Sequence, residues 1–242
     1  MRYAEELDGA RFAVTNRDGG VSRGPFAELN LGRHVGDQSD AVDQNRRRVA
    51  QRIGLAADRV VYMDQRHGAG VAVVSAPADS PLAVDALVTT SPDLALAVLV
   101  ADCVPVLLAD TERRIVAVAH AGRQGLVAGV VAAAVTAMRE LGGRRLTARL
   151  GPSICARCYE LPAPMRTAVA EVEPAAWATS RRGMPALDVA AGVLAQLARL
   201  GVDAVRLPGC TTEDESLYSY RRDRTTGRFA GLAWVAGDGH SS

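Results

Sequence analysis

Residues 95–141 read ALAVLVADCVPVLLADTERRIVAVAHAGRQGLVAGVVAAAVTAMREL, and the change of pattern within them decides the fold class. Ala95 to Val100, Val104 to Leu108 and Ile115 to Ala119 are short, largely β-branched runs separated by polar or turn residues, the mark of strands. Gly125 to Leu141 has the length and spacing of a helix, and Gly142-Gly143 supplies its stop. Upstream, Arg11 to Thr15 reads as a strand before a turn at Asp18-Gly19-Gly20. A helix follows over Asp40 to Ile53, capped by Ser39 or Asp40, with Arg46, Arg47, Arg48 and Arg52 on its wet side. Val60 to Met63, Gly70 to Ser75 and Ala86 to Thr89 are further strands. Downstream, a helix over Val189 to Leu200 is stopped by Gly201, and strands at Ala204 to Leu207 and Phe229 to Val235 close the pattern. Runs of strands with helices between some of them predict an α+β fold, a mixed sheet in α/β layers. No Pro/Gly/Ser linker interrupts the chain, so residues 1–242 are expected to form a single domain with a disordered tail from about residue 237.

Composition narrows the function. The 28 basic residues are all Arg and face 27 acidic ones, giving a net charge of +1, which argues against a protein that coats nucleic acid. Aromatics are only 4 %, so the core must be built from Ala, Val and Leu. The N-terminal segment Met1 to Ala13 holds no signal-peptide-like apolar run. Leu94 to Val106, the longest apolar stretch, is broken by Asp102 and Pro105 and too short to span a bilayer. The expectation is a cytoplasmic protein with no membrane partner, whose four cysteines remain reduced and are catalytic, metal-binding or buried.

Histidine is scarce: His34, His67, His120 and His240 are the whole set. His67 lies in Gln65-Arg66-His67-Gly68 between two predicted strands, Cys103 follows the strand ending at Val100, and His120 closes the strand beginning at Ile115. All three stand at strand ends or turns, where residues distant in sequence can converge on one rim of a sheet. Thiolate and imidazole are good zinc ligands, and three of them leave a fourth position for water or substrate, the pattern of a catalytic zinc. Spacing alone favours scattered core or hydrogen-bonding residues over a metal site, because no two-plus-two ligand motif is present.

The residues around the trio carry a resemblance. Gln65-Arg66-His67-Gly68, Asp85-Ala86-Leu87-Val88-Thr89, Ala101-Asp102-Cys103-Val104-Pro105 and His120-Ala121-Gly122 resemble the YfiH family, often labelled laccase-domain or polyphenol oxidase proteins. Arg17-Asp18-Gly19-Gly20, Asn30-Leu31-Gly32 with His34-Val35-Gly36-Asp37, Gly151-Pro152-Ser153-Ile154 with Cys158-Tyr159-Glu160, and Ser219-Tyr220-Arg221-Arg222-Asp223 with Thr226-Gly227-Arg228 extend it over nearly the whole chain. The resemblance implies a mixed β-sheet sandwich flanked by helices. It also implies one zinc ion held by His67, Cys103 and His120, with phosphorolysis of adenosine, inosine, guanosine and methylthioadenosine and deamination of adenosine. Purine nucleosides and phosphate would be the partners. One departure concerns phosphate: Arg123-Gln124 stands where the family usually carries Trp-Arg.

Around the trio, Asp85 and Asp102 are candidates to orient a histidine or relay a proton, or else to satisfy backbone donors. Asn30, His34, Arg46, Arg123 and Arg222 are the candidate substrate contacts, with the arginines able to grip phosphate. Cys155 and Cys158 have C-x-x-C spacing but no second pair follows, so they and Cys210 read as buried structural thiols. Two other readings use the same trio. A copper polyphenol oxidase would need clustered His-x-His pairs that four histidines cannot furnish. A metal-free hydrolase would use Cys103 as nucleophile and a histidine as base.

Overall fold

The computed structural model describes residues 1–77 and 80–237, so expectations for the tail from 238 onward, His240 included, lie outside the described residues. A hairpin of β1 (Tyr3–Leu7) and β2 (Ala10–Val14) precedes α1 (Ser39–Arg52) and β3 (Val60–Tyr62). β4 (Val71–Val73), β5 (Ala86–Thr89), β6 (Ala95–Val100), β7 (Val104–Asp110) and β8 (Ile115–Ala121) follow without an intervening helix. Then come α2 (Arg123–Ala128), α3 (Val130–Glu140), β9 (Thr147–Leu150), α4 (Ala163–Val172), β10 (Trp177–Thr179) and β11 (Pro185–Leu187). α5 (Val189–Arg199), β12 (Asp203–Arg206), α6 (Tyr220–Asp223) and β13 (Phe229–Val235) complete the order.

Two mixed sheets stack face to face, one ordered β1-β2-β13-β6-β3 and the other β12-β9-β7-β8-β5-β4. Period-two alternation assigns each side chain to a layer. On β6, Leu96, Val98 and Val100 point between the sheets to meet Phe12, Leu107 and Val118. Ala95, Ala97 and Leu99 point the other way, toward Val49 and Ala50 of α1. The outer face of the second sheet, with Val106, Leu108 and Ala117, is covered by Val131 and Val135 of α3 and by Val193 and Leu197 of α5. Every residue of β5, β6, β7, β8 and β13 is therefore buried. That double covering is why these strands read as unbroken apolar runs rather than alternating ones. Each Leu or Val so placed contributes roughly 1.5–3 kcal/mol relative to exposure. The result is a single-domain, mixed sandwich with helices on both outer faces, as the sequence led us to expect.

The helix expected over Gly125 to Leu141 is two helices, because Gly129 takes a left-handed φ of 84° that ends α2 and restarts the chain as α3. No helix among the described residues is long and apolar enough to cross a membrane.

Candidate functional site

The start of β7, the end of β8 and the loop between β3 and β4 bring the trio together. His120 is on β8, Cys103 immediately precedes β7, and His67 occupies the loop between β3 and β4 with a left-handed φ of 61°. Asp85, at the mouth of β5 and only 1 % exposed, holds two of the three in place. Its carboxylate accepts the backbone N–H of Arg66 (3.1 Å), His67 (2.9 Å) and Gly68 (2.8 Å), which pins the strained loop. The same Oδ1 lies 2.9 Å from Nδ1 of His120, leaving Nε2 of that ring for ligation. The backbone N–H of His120 also donates to the Asp85 carbonyl at 2.8 Å.

The two imidazole rings stand edge to face with centroids 4.6 Å apart, and ligand atoms of His67, Cys103 and His120 all lie within 4.8 Å of one another. A tetrahedral zinc with bonds of about 2.0–2.3 Å needs such atoms about 3.3–3.8 Å apart, a small closure from this arrangement. Room for it depends on Gly122, where a Cβ would sit 2.9 Å from Sγ of Cys103 and 3.3 Å from the His67 ring. Donor chemistry agrees with the geometry. Burial alone would push the Cys103 thiol up, but His120 and His67 beside it bring it down to about 6. Burial works against charge on His120, yet the Cys103 thiolate and Asp85 lift that imidazole to about 9. A thiol so poised is an anionic sulfur at neutral pH, the form that binds metal.

The trio opens into a cavity of about 520 Å³ whose wall includes His34, Met63, Val100, Ile154, Tyr159 and Tyr220. Four arginines also line it, Arg123, Arg221, Arg224 and Arg228. Among the described residues none of the four forms an ion pair with a carboxylate. Arg228 is held below the ordinary arginine range by burial, so an anion near it would be welcome. Asp102 borders the cavity with its carboxylate engaged by Thr211 Oγ1 (2.6 Å), Ser219 Oγ (2.7 Å) and the Arg221 backbone N–H (2.6 Å). It thereby fixes the segment that presents Arg221.

The other sequence candidates divide. His34 and Arg123 line the cavity. Asn30 does not; buried beneath it, its Oδ1 accepts the N–H of Gly32 and of Arg228. Arg46 stacks on Tyr62 at 3.8 Å and donates twice to the Leu31 carbonyl, away from the trio. Arg222 is spent on the carbonyls of Thr211, Asp214 and Leu217 and on Asp223. Of the two arginines in the run Tyr220-Arg221-Arg222-Asp223, a candidate phosphate grip in the sequence, Arg221 is the one that lines the cavity; Arg224 and Arg228 were missed, although the density of arginine between residues 221 and 228 was a usable signal. The structure also brings Cys210 to Cys155 and Cys158, with Glu213 beside them, within 4.8 Å.

Comparison with known proteins agrees with this geometry. The profile described as multi-copper polyphenol oxidoreductase laccase matches residues 11–236. A Streptomyces coelicolor protein named purine nucleoside phosphorylase is 58 % identical over 236 residues, spanning 96 % of this chain and 98 % of that one. A Neisseria meningitidis protein of known structure superposes with a TM-score of 0.87 at 35 % identity, covering 97 % of this chain and 99 % of that one. For YfiH of Bacillus licheniformis the TM-score is 0.86 at 30 % identity, with 93 % of this chain and 92 % of that one covered. Profile, sequence and fold thus lead to one assignment, and the chain belongs to the YfiH, or laccase-domain, family.

Proposed function

We propose that the chain is a zinc-dependent purine nucleoside phosphorylase, acting on adenosine, inosine, guanosine and methylthioadenosine, that also deaminates adenosine. The observation that carries this reading is the meeting, along one cavity, of the His67–Cys103–His120 trio and four arginines without carboxylate ion pairs. The names of the relatives point the same way.

When bound by His67, Cys103 and His120, zinc supplies a Lewis acid with one open position. The chain's own groups do the rest. Arg123, Arg221, Arg224 and Arg228 hold inorganic phosphate by charge-assisted, bidentate hydrogen bonds. In phosphorolysis a phosphate oxygen bonds to the ribose anomeric carbon while the glycosidic bond breaks and its electron pair leaves on the purine. Placement and charge neutralisation dominate such a step. His34, pushed down by burial and then by Arg228 and Arg46, stays neutral at pH 7 and suits a hydrogen bond to an uncharged nucleoside. Met63, Val100, Ile154 and Tyr159 offer apolar surface to the base. Arg123, at the departure from the family's Trp-Arg, faces the cavity itself, so the cation is displaced by one position rather than lost.

The test is zinc-loaded protein with adenosine, with and without phosphate, followed by chromatography of adenine, hypoxanthine and inosine. Phosphate-dependent adenine release supports phosphorolysis, and phosphate-independent inosine supports deamination. Absence of turnover for every nucleoside refutes the reading. The thiolate–imidazolium pairing of Cys103 and His120 also fits a metal-independent nucleophile. Loss of one equivalent of zinc in Cys103→Ala opposes that alternative. A copper-dependent phenol oxidase would instead show a copper absorption band and oxygen-dependent turnover of a phenol.

A further inference from the structure

All four cysteines of the chain are free thiols, and only Cys103 belongs to the trio. The other three converge elsewhere. Cys155 and Cys158 sit on a turn after β9, where the N–H of Cys158 and of Tyr159 both donate to the Cys155 carbonyl at 3.0 Å. Cys210, 55 residues beyond Cys155, follows β12 and is 9 % exposed. A parallel bridge between Ser153 and Cys210 aligns the two segments, and the Cys155 N–H donates to Cys210 Sγ at 3.4 Å. Glu213 completes the group, its Oε1 being 3.6 Å from Cys158 Sγ. One ligand atom from each of the four lies within 4.8 Å of the others.

We propose that Cys155, Cys158, Cys210 and Glu213 bind a second divalent cation of the zinc type, in a closed structural site. Three sulfurs and one oxygen fill a tetrahedron, whereas the trio in the cavity leaves a position open. A disulfide would satisfy two of the thiols and strand the third, but a thiophilic metal takes all three. Arg157 and Arg181 pair with Glu213 and would hold its carboxylate from outside, as groups behind metal ligands commonly do. The backbone N–H bonded to Cys210 stabilises the anionic sulfur that ligation requires.

The position gives this metal a task. Ile154, next to Cys155, lines the cavity and donates its N–H to the Asp102 carbonyl at 2.9 Å. Thr211, next to Cys210, donates its hydroxyl to the Asp102 carboxylate at 2.6 Å. A metal joining the two segments would brace the turn that carries Asp102 and Cys103, tying the cavity wall from its outer side.

The experiment is metal analysis of the full chain purified without chelator, comparing the natural sequence, Cys103→Ala and the double variant Cys155→Ser/Cys158→Ser. Two equivalents of zinc are expected in the first and one in each variant. Cobalt(II) added to metal-stripped Cys103→Ala should give an intense thiolate-to-cobalt charge-transfer band, which reads the second site even where the double variant fails to fold. Zinc that vanishes entirely in Cys103→Ala, with no cobalt–thiolate band, overturns the proposal. So does a disulfide among Cys155, Cys158 and Cys210 found by mass spectrometry of the freshly purified protein.

Discussion

Replacing Asp85 by Asn (Asp85→Asn) keeps the side chain's shape and removes half of its accepting capacity. In the native arrangement Oδ1 serves His67 N–H and His120 Nδ1, while Oδ2 serves the N–H of Arg66 and Gly68. With the amide oxygen at the Oδ1 position, the new NH₂ confronts two backbone donors. Each buried donor left unpaired costs about 1–3 kcal/mol, so the expected loss of stability is about 2–6 kcal/mol. A ligand histidine deprived of its carboxylate partner should also bind zinc about 10–100-fold more weakly. Urea unfolding and zinc competition against a chromophoric chelator measure the two effects on one preparation. The pH dependence gives an internal check. Burial favours the neutral Asp85 carboxyl, but His120 and the N–H groups of Gly68 and His67 outweigh it and hold the group below its usual value. Its contribution is then fully present above the ordinary carboxylate pKa of about 4 and lost as pH falls through the lower folded value. That acid-side loss should be absent from the Asn variant. Stability within about 1 kcal/mol of the natural chain, together with unchanged zinc affinity, would refute the assignment of Asp85 as the anchor of the site.

Gly122→Ala places a methyl 2.9 Å from Cys103 Sγ at a φ of −83° that Ala tolerates, so zinc content should fall by about one equivalent while circular dichroism stays native. Arg123→Met should raise the KM for phosphate about 10–100-fold, the equivalent of one charge-assisted hydrogen bond, and leave phosphate-independent adenosine deamination within about twofold. Gly129→Ala meets no atom within 4 Å but must hold a φ of 84°. It should lower stability by about 1–2 kcal/mol in chemical denaturation without changing zinc content.

What the sequence made legible follows from locality. β6 and β13 were read to the residue because both of their faces are covered, which leaves no polar position to blur an end. β9 escaped notice because Arg149 lies within it, its charge absorbed by Glu5 across the fold. The trio was accessible since Cys103 and His120 border or close strands and His67 sits on a turn between two of them, and family resemblance supplied the convergence that spacing alone could not. The guanidiniums were harder. Arg46 and Arg222 carry the same charge as Arg221 and Arg228, and only the third dimension tells which of them border the cavity. Cys210 had no local signal at all, because its partners stand 55 residues away along the chain.

β13 is hydrogen-bonded between β2 and β6, so a strand of high residue number fills the middle of its sheet. A growing polypeptide cannot close that sheet until residues 229–235 have cleared the ribosome, and until then β2 and β6 expose unpaired edges. Arg228 is translated immediately before β13, which couples completion of the cavity's cationic lining to completion of the sandwich. A nascent chain interrupted upstream of that point lacks both the strand that fills this sheet and one arginine of the cavity wall, and it carries the unpaired edges that favour aggregation.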